Sequence, residues 1–145
     1  MSAIASPPSL ANVLIVEDKP MYHGMYRLEF CDKYRVTIVA DAAQAIKTLA
    51  SQDADSVDVY VIDLKIPQRL GTEDKVEIGL DLIKEVRKRW PQKPLFVTSS
   101  VVIDETLSGK LAAIDVEKSA IFEKPFLLKD LHAAVDAALK QPKPR

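Results

Sequence analysis

The stretch VLIVED at residues 13–18 decides the fold of this chain. Four branched apolar residues are followed directly by two acids, Glu17 and Asp18, and a later apolar run over 57–62 also ends at an acid, Asp63. Short apolar runs rich in valine and isoleucine are typical of strands buried on both faces of a parallel sheet. Ligands bind beyond the carboxyl ends of such strands. If the two strands are neighbours, the sequence predicts three carboxylates at one point.

Strand-like and helix-like patterns alternate five times along the chain. This alternation predicts an α/β fold, in which helices cover both faces of a parallel sheet. The strands are predicted near 12–16, 35–39, 57–62, 95–98 and 119–123. The helices are predicted at about 20–30, after the N-cap Asp41, across Leu82 and Val86 to a point before Pro91, and at about 104–115 and 127–140. We expect one domain over 11–140, with a flexible leader at 1–10 and a tail at 141–145.

The bulk composition excludes several classes of protein. The 145 residues include 20 basic and 21 acidic side chains, and a net charge of −1 provides no field that would attract nucleic acid or an anionic membrane. No apolar run approaches membrane-spanning length, and the N-terminus lacks a signal-peptide pattern. The single cysteine, Cys31, excludes an internal disulfide. We therefore expect a cytoplasmic protein without membrane insertion or direct contact with nucleic acid.

The three carboxylates need a positively charged partner, because like charges in one crevice repel each other. Oxygen ligands favour a hard divalent cation, and Mg²⁺ fits a small, half-hydrated site of this kind. Two later strand-like runs end in complementary groups, since one leads to the hydroxyls of Ser99 and Ser100 and the other to the cation of Lys124. Carboxylates, a hydroxyl and a lysine at successive strand ends predict a site for a phosphoryl group carried on an aspartate.

Four motifs carry a resemblance to a known family: LIVED (14–18), VIDLKIP (61–67), VTSS (97–100) and EKPF (123–126). With these motifs, the chain resembles the receiver domain of bacterial two-component response regulators, the CheY-like family. The resemblance implies a flavodoxin-like fold, a doubly wound five-stranded parallel sheet with strand order 2-1-3-4-5. It also implies that a sensor histidine kinase or a phosphotransfer protein donates the phosphoryl group, and that phosphorylation switches the binding of an output partner whose identity the sequence does not reveal. Such a domain promotes its own phosphotransfer and dephosphorylation and is not a stand-alone enzyme.

The resemblance also assigns a role to each candidate site residue. Asp63 would be the phosphoacceptor, and Lys124 would pair with the phosphoryl oxygens. Asp18 and Asp63 would bind Mg²⁺ directly, together with the backbone carbonyl of Lys65, while Glu17 would act through a water molecule.

Two hydroxyls compete for the contact to the phosphoryl group. If the strand ends at Thr98, then Ser99 is the first residue past its end, and we expect Ser99 to make this contact. Thr98 is the second choice, because a slip of one residue would turn it toward the site.

Two alternatives belong to other classes of function. The first is a pseudo-receiver, an interaction module that never carries phosphate. The second is a phosphatase of the haloacid-dehalogenase type, in which a second aspartate two residues after the nucleophile acts as acid and base. Lys65 occupies that position here, so the general acid is missing. We expect no DNA-binding or catalytic output domain after the predicted receiver, and therefore a stand-alone receiver or a fragment of a longer regulator.

The sequence departs from the family pattern in two places. The segment from Gln68 to Ile78 is several residues too long for the usual connection to the third helix. This helix either begins at Gly79, as is usual, or begins early, near Asp74, which would leave Gly79 inside it. The second departure is Ile121, which stands where receivers usually carry an aromatic switch residue, with Phe122 next to it. Alternation along a strand predicts that these two side chains point to opposite faces.

Overall fold

The computed structural model describes residues 10–51 and 54–140. Among these residues, five parallel strands form one sheet in the order β2-β1-β3-β6-β7. The strands are β1 (Ala11–Val16), β2 (Tyr34–Val39), β3 (Val59–Asp63), β6 (Leu95–Ser99) and β7 (Ile121–Glu123), and a separate hairpin contains β4 (Ile66–Pro67) and β5 (Asp74–Lys75). The predicted α/β fold and its strand order are confirmed.

Helices cover both faces of the sheet. They are α1 (Pro20–Phe30), α2 (Ala42–Leu49), α3 (Val76–Arg89), α4 (Glu105–Ala112) and α5 (Leu128–Lys140). Helices α1 and α5 pack on one face, where Tyr26 and Leu131 join strand residues such as Ile15 in a buried cluster. Helices α2, α3 and α4 pack on the other face, with Leu49 and Leu111 in a second cluster. The central strands β1, β3 and β6 are therefore covered on both sides, which is why their sequences are mostly apolar, whereas the edge strand β2 exposes Arg35 and Thr37.

The predicted element boundaries agree with the structure to within a few residues. Helix α1 covers the predicted range, with Pro20 in its first turn. Asp41 caps α2 as expected, because its side chain accepts a hydrogen bond from the backbone N–H of Gln44 at 2.8 Å. The last strand begins later than predicted, at Ile121, because Lys118–Ala120 form a 3₁₀ turn.

Helix α3 begins early, at Val76, so that Gly79 lies inside it. A Cβ atom at Gly79 would lie 1.8 Å from the backbone oxygen of Leu64, which directly follows β3. The glycine is therefore required by close packing of the helix against the backbone that leaves the strand, which offsets the cost of a glycine within a helix.

The long segment after Pro67 folds into a hairpin. Strands β4 and β5 pair antiparallel, and Gly71 takes a positive φ of 90° in the turn between them. The hairpin docks on the start of α2, since Asp41 Oδ2 accepts the backbone N–H of Leu70 at 2.8 Å and the Gln68 carbonyl accepts the N–H of Ala43 at 2.9 Å. The insertion is thus an ordered part of the fold, and it lies next to the end of β3.

Two further sequence predictions concern the ends of the chain and membranes. The predicted tail, and the predicted leader except for its last residue, Leu10, lie outside the described residues. None of the helices in the described part of the chain has the length and apolarity needed to span a membrane.

Candidate functional site

The pleat of the sheet brings the polar strand ends together on one face. Side chains alternate between faces along a strand, so Glu17 continues the row of Val13 and Ile15, and Asp63 continues the row of Val59 and Val61. These four apolar residues belong to the cluster under α1 and α5. Both acids therefore lie at the carboxyl end of the sheet, on the α1 side.

The three predicted acids form one cluster. Ligand atoms from Glu17, Asp18 and Asp63 lie within 4.8 Å of one another. Glu17 and Asp63 are almost fully buried, with exposed fractions of 0% and 2%. Asp18 Oδ1 is also buried, and it has no hydrogen-bond partner in the described part of the chain. A buried carboxylate oxygen without a partner is costly unless a cation or water fills the place beside it.

Lys124 supplies the cation that the sequence predicts. Its ammonium donates to Glu17 Oε1 at 2.7 Å and to Asp63 Oδ2 at 3.4 Å, and its side chain is 9% exposed. The backbone helps to place it, since the N–H of Lys124 donates to the Ser99 carbonyl at 2.7 Å. Lys124 therefore bridges the ends of β1 and β3 from the loop that follows β7.

The structure corrects the choice between the two hydroxyls. Asp63 pairs in register with Thr98, and the Thr98 hydroxyl donates to Asp63 Oδ1 at 3.1 Å. Ser99 is still part of β6 and points to the opposite face, where its hydroxyl donates to the Val101 carbonyl at 2.8 Å. The expectation for Ser99 rested on a strand that ended one residue too early. Thr98, the second choice, is the hydroxyl next to the predicted phosphoacceptor.

Burial controls the protonation of the site. Burial and the neighbouring charge of Glu17 raise the pKa of Asp63 to about 7, although Lys124 and the Thr98 hydroxyl oppose this shift. Burial also opposes the charge of Lys124, but the hydrogen bond to Glu17 and the charges of both acids outweigh it and raise the pKa of the lysine. Below pH about 7, the metal-free site thus favours a charged Lys124 beside a protonated Asp63.

This pKa shift predicts a pH-dependent stability. Because the pKa of Asp63 is about 7 in the folded protein and about 4 in the unfolded chain, the folded state keeps a proton that the unfolded state loses. The free energy of unfolding is therefore expected to fall as pH rises from about 4 to about 7. Asp63→Asn removes this loss and should be more stable than wild type at pH about 8, by about 2–4 kcal/mol. Urea unfolding in EDTA measures this, and an equal difference at pH about 4 and about 8 would contradict it.

Two tyrosines of α1 border the site, and the sequence analysis missed both. The ring of Tyr22 lies under Lys124, whose Nζ is 4.1 Å from the ring centroid. Tyr26, one turn later, is fully buried, and its hydroxyl has no hydrogen-bond partner among the described residues. Burial and the charges of Glu17 and Asp63 raise the pKa of Tyr26. The available signal was the spacing of four residues in the helix that directly follows the acidic pair.

The residues at the usual switch position divide between the two faces, as predicted. Ile121 packs with the cluster under α2, α3 and α4, whereas Phe122 packs with the cluster under α1 and α5, beside Phe96 and Phe126. Ile121 also lines an open groove of about 660 Å³ between α4 and β7. Of the three residues of β7, the one that packs on the α4 side is therefore the aliphatic Ile121 and not the aromatic Phe122.

Comparison with known proteins identifies the family. The family model "Response regulator receiver domain" matches residues 13–136. The chain belongs to this family. The matched range includes all five strands of the receiver sheet except the first two residues of β1, and it contains all of the candidate site residues.

Two kinds of relative agree with this assignment. The receiver is 30% identical over 132 residues to the regulatory protein VirG of Agrobacterium tumefaciens strain 15955, covering 90% of this chain and 44% of that protein. It is 28% identical over 130 residues to the transcriptional regulatory protein BasR of Escherichia coli K12, covering 89% and 52% respectively. The chain therefore spans about half the length of these curated relatives.

The fold is also similar to solved receiver domains. A signal receiver domain of an HD domain-containing protein from Pseudomonas fluorescens Pf-5 superimposes with a TM-score of 0.73, at 20% identity, covering 91% of this chain and 96% of that one. A CheY-like receiver from Methanospirillum hungatei JF-1 gives a TM-score of 0.72, also at 20% identity, covering 90% and 94%.

Proposed function

We propose that this receiver accepts a phosphoryl group on Asp63 from a phosphohistidine, in a reaction that depends on Mg²⁺, and that phosphorylation switches the binding of an output partner. The donor would be a sensor histidine kinase or a phosphotransfer protein. The observation that carries the proposal is the placement of Asp63, whose two carboxylate oxygens meet the Thr98 hydroxyl and the Lys124 ammonium. A receiver of this kind would work in the cytoplasm and would not itself contact nucleic acid.

The residues present fit a bound Mg²⁺. Asp18 offers a buried carboxylate oxygen without a hydrogen-bond partner, whereas both carboxylate oxygens of Glu17 already accept hydrogen bonds, from Lys124 and from the N–H of Lys19. This difference supports direct binding by Asp18 and an indirect role for Glu17, whereas direct binding by Asp63 is proposed from the family resemblance. The backbone carbonyl of Lys65 completes the proposed ligand set. When bound, Mg²⁺ would neutralise negative charge on the phosphoryl oxygens and on the acids.

Each side chain of the site would have a different role in the transfer. A carboxylate oxygen of Asp63 would attack phosphorus and form an acyl phosphate, while the bond from phosphorus to the histidine nitrogen breaks and its electron pair stays with the imidazole. Lys124 would pair with a phosphoryl oxygen as a point charge, and Thr98 would donate a hydrogen bond to another. Positioning and charge neutralisation account for most catalysis of this kind.

The test is labelling of wild type with a small phosphodonor. Incubation with acetyl phosphate or phosphoramidate and Mg²⁺, followed by intact mass measurement, is expected to show one added phosphate. Reduction of the acyl phosphate with borohydride and peptide mapping should then locate it at Asp63. A wild-type protein that gains no phosphate, while it binds a partner in the same way with and without the donor, would instead establish the pseudo-receiver alternative.

The affinity for Mg²⁺ is expected to depend more on Asp18 than on Glu17. Asp18→Asn removes a direct charged ligand, so the dissociation constant for Mg²⁺ should rise by about tenfold to a hundredfold. Glu17→Gln keeps the shape of a residue that acts through water and should cause a smaller rise. Titration calorimetry measures both. Trp90 would not report this binding, since it stacks on Tyr60 and bonds to Asp55, away from the site. Unchanged affinity in Asp18→Asn would contradict the ligand assignment.

The inserted segment from Gln68 to Ile78, most of which forms the hairpin over 66–75, is proposed to recognise a partner. It is ordered, it lies next to the end of β3, and Leu70 near its tip is 55% exposed. Shortening it to a few residues should leave acetyl-phosphate labelling intact. Transfer from the cognate kinase, or binding to the output partner, should fall by tenfold or more, a loss of about 1.4 kcal/mol.

A point variant separates recognition from folding of the hairpin. Leu70→Ser keeps the backbone N–H that binds Asp41 and removes the exposed apolar side chain. A partner that uses the hairpin should bind this variant more weakly, while labelling and the unfolding midpoint stay at wild-type values. Normal transfer and normal partner binding in both variants would leave the hairpin without a recognition role.

A further inference from the structure

Helix α1 begins beside the acidic site and turns an aromatic ring toward it. The third residue of this helix is Tyr22, which is half-buried, and the Lys124 ammonium lies 4.1 Å from the centroid of its ring. This distance is well within the range of a cation–π contact. The contact joins the start of α1 to the loop after β7, two elements that are far apart in the sequence.

The ring completes the surroundings of the ammonium. An ammonium group has three donors, and Lys124 directs two of them to Glu17 at 2.7 Å and to Asp63 at 3.4 Å. The ring centroid of Tyr22 lies 4.1 Å from the same nitrogen. Two of these three partners are carboxylates that a divalent cation would also attract. The aromatic ring is not such a ligand, so a divalent cation would not compete with Lys124 for it.

The backbones that carry the two side chains are both anchored. The N–H of Tyr22 donates to the Lys19 carbonyl at 3.0 Å, and the N–H of Lys124 donates to the Ser99 carbonyl at 2.7 Å. The freedom that remains in this contact is mainly in the four-carbon stem of the lysine, which is flexible by nature. A ring fixed to the first turn of a helix limits that freedom at the charged end of the stem.

We propose that Tyr22 is a positioning residue that holds the Lys124 ammonium against Asp63. Its consequence for phosphoryl transfer rests on the proposed function. Phosphorylation would modify Asp63, and a bound cation would attract Glu17, so the contacts of Lys124 with both carboxylates would change. The contact with the ring of Tyr22 would stay the same. The lysine then remains in place to pair with a phosphoryl oxygen.

Two variants of Tyr22 test this role by labelling. Tyr22→Leu removes the ring but keeps an apolar side chain, whereas Tyr22→Phe keeps the ring and removes only the hydroxyl. At saturating Mg²⁺, the rate of labelling of Asp63 by acetyl phosphate should fall by about threefold to tenfold in the leucine variant and stay near wild type in the phenylalanine variant.

A second measurement needs neither metal nor phosphate. Urea midpoints in EDTA are compared for wild type, Tyr22→Leu, Lys124→Met and the double variant. Tyr22→Leu is expected to lower the urea midpoint. If the ring acts on the ammonium, this decrease should be smaller by at least about half when Lys124 is already replaced. A tyrosine that merely fills space would cause the same loss in both backgrounds.

The outcomes separate this inference from the proposed function. Coupling between the two residues, together with slow labelling of the leucine variant, supports both. Wild-type labelling rates in Tyr22→Leu, or equal midpoint losses in the two backgrounds, would overturn the role of Tyr22 while Asp63 remains the phosphoacceptor. Coupling without any labelling of wild type would overturn the proposed function and support the positioning of Lys124 by Tyr22.

Discussion

Replacement of Asp63 by asparagine is expected to abolish phosphoryl labelling. The amide oxygen of asparagine is a poor nucleophile and cannot form the acyl phosphate, whereas the shape of the side chain is preserved. No other carboxylate among the described residues combines a threonine hydroxyl and the Lys124 ammonium as hydrogen-bond donors. Intact mass after incubation with acetyl phosphate and Mg²⁺ should show one added phosphate in wild type and none in the variant.

An exposed acid provides the matched control for this variant. Asp81 lies on the surface of α3, so Asp81→Asn makes the same chemical change away from the site and should be labelled like wild type. Because Asp63→Asn is also expected to be more stable than wild type at high pH, loss of labelling could not be attributed to unfolding. Equal labelling of Asp63→Asn and wild type would remove Asp63 from its proposed role.

Gly79→Ala is expected to destabilise the protein by about 3 kcal/mol or more. Its new Cβ would lie 1.8 Å from the Leu64 oxygen, and the obstacle is backbone rather than the end of a flexible side chain. Helix α3 would have to move away from the end of β3. Leu64 cannot easily yield, because its N–H donates to the Thr98 carbonyl at 2.8 Å and it directly follows Asp63.

Gly24→Ala is the matched control, because Gly24 also lies inside a helix. A Cβ at Gly24 in α1 would meet nothing within 4 Å. The same substitution should therefore stabilise the protein there, by about 0.5–1 kcal/mol. Urea unfolding measures both changes. The change in the free energy of unfolding is expected to have opposite signs for the two substitutions. A Gly79→Ala protein as stable as wild type would show that α3 can shift without cost.

The sequence predicted much of the acidic site because its signals are local. The acid pair Glu17 and Asp18 follows one apolar run and Asp63 ends another, and the carboxyl ends of parallel strands share one edge of the sheet. Neighbouring strands β1 and β3 then bring the acids within 4.8 Å of one another. The strand order came from the family resemblance, since alternation alone does not specify which strands are neighbours.

The choice between Thr98 and Ser99 shows where local signals fail. All five residues of β6 are buried, because helices cover both faces of the sheet. A strand of this kind carries no alternation of polar and apolar residues, so the sequence does not reveal which side chains face α1. The structure resolves this through the register of Thr98 with Asp63 and through Phe96, which packs on the α1 side.

The sequence by itself determined the α/β class, the helix and strand positions to within a few residues, and the acids and the lysine of the candidate site. Those features depend on composition and spacing within short segments. Only the tertiary structure decided the face of Thr98, the folding of the insertion onto Asp41, the need for a glycine at position 79 and the ring of Tyr22 under Lys124. Each of these depends on contacts between segments distant in the sequence, and the geometry of such contacts is set by packing of the whole domain rather than by local preference.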